Sequence, residues 1–231
     1  MHLNKFLLFF FFLPGIYFAQ KTYVPDDNFE TYLENNNMGD GIYNNDSVLT
    51  ANISNVGGLN LLFQNNISDL TGIKDFTNLG ALYCMGLQLT DLDVSGLTNL
   101  TQLYCNSNQL TSLNVNSCTS LYRLDCWSNQ IVSLDLSDCI SLETIQIQDN
   151  NLSCLNLKGI PFASVIDFRY NGNPNLSCIE VDDPSQSWSS IGSYSSLNSG
   201  NNSTFSTNCN YPNNCFASSS SGSSQCIPPT N

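Results

Sequence analysis

The chain has 231 residues, with six basic against nineteen acidic side chains and a formal charge of -13. Nucleic acid and anionic lipid are recognised through basic stripes, so this balance excludes both as partners. The single histidine is His2, which leaves any domain further along without histidine triads, Cys-His dyads or the commonest zinc ligand.

Residues 1–19 read as a signal peptide: Lys5 precedes an apolar run from Phe6 to Leu13, followed by Pro14, Gly15 and Ala19. The run is far shorter than the roughly 20 residues that cross a bilayer. A secreted or cell-surface protein is expected, without membrane insertion once the signal is removed. Residues 20–57 read as an N-terminal cap. Asp27-Asn28-Phe29-Glu30 carries an acidic N-cap with Glu three residues on, and Phe29, Tyr32 and Leu33 give the helix one apolar face. Asp40-Gly41 and Asn44-Asn45-Asp46 do not match the order of a calcium loop and are expected as turn formers.

Between residues 58 and 181 the sequence repeats every 21 residues. One column holds Leu79, Leu100, Leu121 and Leu142, and the next Leu82, Leu103, Leu124 and Ile145. Then follow Cys84, Cys105, Cys126 and Ile147, and after them Asn108, Asn129 and Asn150. Leu89, Leu92 and Val94 open three further columns. Alternation of inward and outward residues around each Leu-x-Cys predicts a short parallel strand stacked about 4.8 Å from its neighbour. Leu87 stands where later coils have Asn, so the first turn is expected to be the least regular. The last coil runs through Ile166, Phe168, Asn171 and Leu176, stretched by three residues at Gly172 to Asn175.

The pattern L-x-x-L-x-C-x-x-N-x-L, as in Leu100 to Leu110, resembles the leucine-rich repeat in the 21-residue form of secreted bacterial surface proteins. The stretch Ile67 to Leu79 is similar to internalin-type repeats. The resemblance implies an α/β-type repeat solenoid dominated by short parallel β-strands, with a short N-terminal cap helix. It also implies export, in proteins of this kind often by type IX secretion. The recurrent Asn is then expected to bond backbone groups where the chain leaves the strand, and the concave strand face to hold ligands. Residues 182–209 are expected as a C-terminal cap, and residues 210–231 as a Ser/Asn/Pro-rich tail.

Cys84, Cys105 and Cys126 recur at an inward position and read as a buried ladder of small apolar residues, because metal binding needs convergent spacing such as C-x2-C. Cys118 and Cys139 form a shorter ladder. Cys178 and Cys209 bracket the C-terminal cap and are candidates for a bridge, with Cys154 to Cys178 as the rival pairing. Cys215 and Cys226 are candidates for a bridge within the tail.

Outward positions of the strand face carry Tyr83, Met85, Tyr104, Arg123, Asp125 and Trp127, amphipathic groups of the kind that anchor interfaces. The opposite column reads Asp93, Asn114, Asp135 and Asn156. The sequence therefore points to a non-enzymatic binding module, without cofactor or metal, that recognises a protein or glycan at the cell surface. A structural surface spacer without a ligand, or an accessory domain of a secreted enzyme system, is the alternative.

Overall fold

A computed structural model describes residues 19–64, 66–192, 203–211 and 215–216. The signal-peptide run and Cys226 lie outside the described residues. No helix among the described residues is long and apolar enough to cross a membrane.

The chain opens with β1 (Lys21–Tyr23) and α1 (Asp27–Asn35), then β2 (Ser47–Leu49) and the one-turn α2 (Thr50–Ile53). β1 pairs antiparallel with β2. The helix starts one residue earlier than its sequence suggests. Asp26, not Asp27, is the N-cap, and its Oδ1 accepts from the N–H groups of Asn28 and Phe29. Its other oxygen accepts from Ser68 and Asp69, 42 and 43 residues away. One carboxylate thus ends the helix and ties it to the first coil. Glu30 does not close a capping box but accepts from the backbone of Asn45 and Asp46. Asn44, Asp46 and Gly41 all take positive φ, the signature of turn formers. Gly72 completes the docking: a Cβ there would lie 2.6 Å from the Tyr23 carbonyl, so only glycine lets the coil approach β1.

Beyond the cap the coils contribute three-residue strands. In chain order these are β3 (Gly58–Asn60), β4 (Ala81–Tyr83), β5 (Asp91–Asp93), β6 (Gln102–Tyr104), β7 (Ser112–Asn114) and β8 (Arg123–Asp125). They continue as β9 (Ser133–Asp135), β10 (Thr144–Gln146), β11 (Cys154–Asn156), β12 (Asp167–Arg169), β13 (Cys178–Glu180) and β14 (Thr204–Ser206). The first coil contributes one strand, β3, the coils from β4 to β13 contribute two each, and β14 stands alone at the end. One parallel sheet has the order β3-β4-β6-β8-β10-β12. On the opposite side lie the pair β5-β7 and a second sheet, β9-β11-β13-β14. Asp93, Asn114, Asp135 and Asn156 end the strands of this second ladder, so the face opposite the Leu-x-Cys strands is itself stranded.

The repeating columns are the core. Leu79, Leu100, Leu121 and Leu142, the Leu82 column and the Cys84 column are all fully buried. Single coils cannot bury these side chains, and stacking supplies the missing walls. Truncating any central leucine to Ala is therefore in the class that costs about 2–5 kcal/mol. Asn108, Asn129 and Asn150 donate to the strand-end carbonyls of their own coil and of the coil before. Asn129 Nδ2 reaches Cys126 O at 3.0 Å and Cys105 O at 3.1 Å, while its Oδ1 accepts from Leu110 N at 3.0 Å. At Leu87 the own-coil amide is missing: Cys84 O receives a side-chain amide only from Asn108 of the next coil, whereas Cys105 O receives both Asn108 and Asn129, and the left-handed Gly86 keeps the turn.

The last coil departs from its sequence alignment. Thr144 pairs with Asp167, an offset of 23 residues, whereas Arg123 pairs with Thr144 at 21. Two of the three extra residues thus enter before β12, at the single turn of 3-10 helix Phe162–Ser164, and one after Asn173. Phe168, not Ile166, fills the Ile145 column and Val165 that of Leu142, leaving Ile166 64% exposed. Likewise Asn173, not Asn171, takes the ladder position, donating to Ile147 O and Tyr170 O. Beyond it Phe168, Tyr170, Trp188 and Phe205 close the end of the core with ring centroids 4.8 to 6.4 Å apart.

Cys178 is joined to Cys209, and Cys154 to Cys215. The rival Cys154–Cys178 pairing does not form, and Cys215 is spent outside the tail pairing with Cys226. Tyr211 brings this segment back: its hydroxyl donates to Cys178 O and accepts from Leu155 N, which seats Cys215 beside Cys154. Cys84, Cys105, Cys118, Cys126 and Cys139 are buried free thiols. Cys84 donates to Tyr104 O and Cys118 to Val94 O. Burial pushes these thiols up, Cys118 to about 12, so thiolate is scarce at neutral pH. Iodoacetamide should leave all five unmodified in the native protein and label them after unfolding without reductant, as read by peptide mass. Native labelling of Cys105 would refute a sealed ladder.

Candidate binding face

The six-stranded sheet presents its outward residues in register, so its chemistry is set by which residues the coils place side by side. Tyr83 sits beside Tyr104 on β4 and β6. Their rings stack with centroids 4.9 Å apart and planes 10° from parallel. The Arg123 guanidinium covers the other face of Tyr104, 5.2 Å from its centroid. Tyr104 is therefore sandwiched, with an aromatic contact on one side and a cation on the other. The Tyr83 and Tyr104 hydroxyls both donate to Gln102 Oε1, and Gln102 Nε2 donates in turn to the Tyr122 hydroxyl.

Arg123 also donates to Asp125 Oδ2 at 2.9 Å. Asp125 is 5% exposed despite facing outward. Burial pushes its carboxyl up in spite of the ion pair with Arg123. At Arg123 burial is the largest single effect and acts downward, but the hydrogen bond and charge of Asp125, with Tyr104 and Asp167, together turn the net shift upward. The pair is thus retained under desolvation, a geometry in which removal of one partner is costly. Among the described residues Arg123 Nε and Asp125 Oδ1 are buried with no partner, as are Gln148 Oε1 and Asn171 Oδ1. Buried polar atoms left unpaired are rare in folded proteins and mark places that a partner or solvent completes.

Register carries the cluster two coils further. Arg123, Thr144 and Asp167 lie in one row, and Asp125, Gln146 and Arg169 in the next. Arg169 pairs with Asp167 at 2.8 Å, and Gln146 Nε2 donates to Asp167 Oδ2 at 3.1 Å. The four charges alternate in sign across the sheet. Trp127, half-buried, follows Asp125 in the next outward row, which backbone bonds keep aligned through Gln148 and Asn171. Tyr83, Tyr104, Arg123, Asp125 and Trp127 thus share one patch, with Met85 on its N-terminal side. Gln146, Asp167 and Arg169 were not among the residues expected from sequence. The order Asp167-Phe168-Arg169, the reverse of Arg123-Leu124-Asp125, was the available signal, hidden by the two-residue insertion ahead of β12.

Among the described residues one carboxylate group could in principle hold a metal, Asp27, Glu30 and Asp46, with oxygens within 4.8 Å of one another. Glu30 already spends both oxygens on backbone N–H groups, and the cluster is accounted for as a turn.

The search for known relatives agrees with this architecture. The functional domain of InlJ from Listeria monocytogenes, described as including a cysteine ladder, superposes over 71% of this chain with a TM-score of 0.52 and 25% identity. The fold is that of a leucine-rich-repeat solenoid. The match spans 38% of the InlJ chain, so this leucine-rich-repeat chain corresponds to well under half of that protein. An internalin, InlF, from the same organism matches 57% of this chain and 51% of its own, with 19% identity and a TM-score of 0.41. No family model matches the sequence, and no curated protein is significantly similar to it.

Proposed function

We propose that this leucine-rich-repeat chain is an extracellular, non-enzymatic binding module that recognises a protein partner through the six-stranded face. The observation that carries the reading is the charged and aromatic patch built on that face around the half-buried Arg123 and its buried partner Asp125, each with an unpaired polar atom. Rigid aromatic and arginine anchors around desolvated polar groups are the composition of interface hot spots. A protein is favoured over a glycan here because both faces of Tyr104 are already covered, so the central ring of the patch is not open to a stacked sugar. Two disulfides fit an oxidising compartment. The apolar run of residues 6–13 supplies the route there as a cleaved signal.

Replacing Tyr104, Arg123 and Trp127 by Ala should abolish capture of a surface-protein partner in a pulldown, each anchor contributing about 1–3 kcal/mol. Folding stability should change by no more than about 1 kcal/mol at Tyr104 and Trp127, whose side chains point away from the leucine core, and by more at Arg123, whose loss leaves the buried Asp125 carboxylate unpaired. Asp93 and Asp135, on the second ladder, form the control pair. Loss of capture on changing that pair, with the triple variant still binding, would move the site to the other side. Absence of any ligand in both protein and glycan screens would favour a structural spacer.

A further inference from the structure

The turn after each Leu-x-Cys strand needs a left-handed residue. Gly86, Ser107, Ser128, Asp149 and Gly172 occupy that slot in successive coils with φ between 53° and 70°. All are small or capable of local hydrogen bonding, as the conformation demands. The first coil breaks the rule. Register places Phe63 in the same slot, with φ 67°, and its side chain is 88% exposed, the most of any large hydrophobic among the described residues. A bulky residue is thus held where its backbone is strained and its ring is wet, so it contributes to neither packing nor turn geometry. Strain of that kind persists where it serves a site.

A site is present beside it. Phe63 lines a groove of about 540 Å³ between α1 and the loop that follows β3, within the roughly 300–1,000 Å³ of small-ligand pockets. Asn28, Thr31, Asn35 and Asn36 share one helical face of α1 and form one wall, and Gln64 and Asn66 belong to the other. No carboxylate, ammonium or guanidinium lines it, although the chain as a whole is strongly acidic. The walls are fixed to each other, since Asn28 Nδ2 donates to Asn66 O and Tyr32 OH to Asn60 O. The Thr31 hydroxyl and the side-chain amides of Gln64 and Asn66 make no hydrogen bond to the described residues.

We infer that this groove binds a neutral oligosaccharide, with Phe63 as the stacking platform. An amide offers both a donor and an acceptor, which matches hydroxyl groups that do the same. The open ring of Phe63 offers an apolar face for the C–H side of a pyranose. Absence of charge disfavours phosphate, sulfate and basic peptides, and Phe63, Tyr32 and Ile67 set among five amides and Thr31 leave too little apolar wall for an apolar ligand. This site is separate from the strand-face reading and does not depend on it.

Titration calorimetry of the full chain with cellotetraose, xylotetraose, mannotetraose and chitotetraose tests the inference. At least one should bind. Phe63→Gly should weaken it tenfold or more with an unchanged or higher Tm, because glycine relaxes the left-handed slot. Phe63→Trp should retain binding, and Tyr104→Ala should leave the titration unchanged. The inference is overturned if none of the four binds, if Phe63→Gly binds as the wild type does, or if that variant melts clearly lower, which would make the ring structural. Loss of a protein partner in Phe63→Gly, with no oligosaccharide bound, would make the groove a protein-docking site and overturn the sugar assignment.

Discussion

Reducing the two disulfides opens the C-terminal end of the solenoid and lowers its melting temperature by about 10 °C or more. The bridges join residues 31 and 61 positions apart, separations for which loop entropy assigns each about 4 kcal/mol. The segment they hold has little else. β14 has one neighbour in its sheet, β13, and Tyr211 is the main polar tie, through Leu155 and Cys178. Phe205, carried on β14, is one wall around Trp188, so releasing β14 exposes the indole. Melts with and without a phosphine reductant, followed by tryptophan emission, read both effects. An unchanged Tm with unshifted emission would show that the aromatic plug holds without its bridges.

Asn129→Ala is expected to destabilise the array by about 3 kcal/mol, far more than an ordinary polar-to-alanine change. Its amide joins three buried backbone groups from two successive coils. After truncation the Leu110 N–H has no acceptor, and an orphaned buried donor alone costs about 1–3 kcal/mol. Cys105 O and Cys126 O keep Asn108 and Asn150 as second donors, which is why the loss stays below that of a core leucine. Asn114 is the matched control: it accepts from Asn116 N at a solvent-facing corner, and its replacement by Ala should cost about 0.5 kcal/mol or less. Equal denaturation midpoints for the two variants would contradict the ladder's role.

The sequence makes periodic features readable and aperiodic ones opaque. Columns such as Leu100, Cys105 and Asn108 stand out because each inward position recurs at a fixed offset, and one core built by stacking demands one residue type per column. The last coil departs from its alignment because a two-residue insertion has no period; Ile166 and Phe168 are both apolar, and only the strand register decides which of them follows Ile145. The patch was found as far as Trp127 and missed at Asp167 and Arg169 for the same reason. Asp26 escaped because a cap whose second oxygen reaches Ser68 is a contact across 42 residues, to which local propensity is blind. Trp188 and Phe205 fill the end of the core without belonging to any repeat. Phe63 reads in sequence as part of the apolar array of the first coil with Leu61, Ile67, Leu70 and Ile73, but it falls at the left-handed turn position and is 88% exposed.

The two sides of the solenoid differ in continuity. Hydrogen bonds run unbroken through all six strands of one sheet, while on the other side β7 and β9 belong to different sheets. Bending that curls the six-stranded side inward stretches the opposite side, and at that gap the stretch breaks no ladder bond. Elastic deformation therefore concentrates between β7 and β9, behind β6 and β8, which carry Tyr104, Arg123 and Asp125.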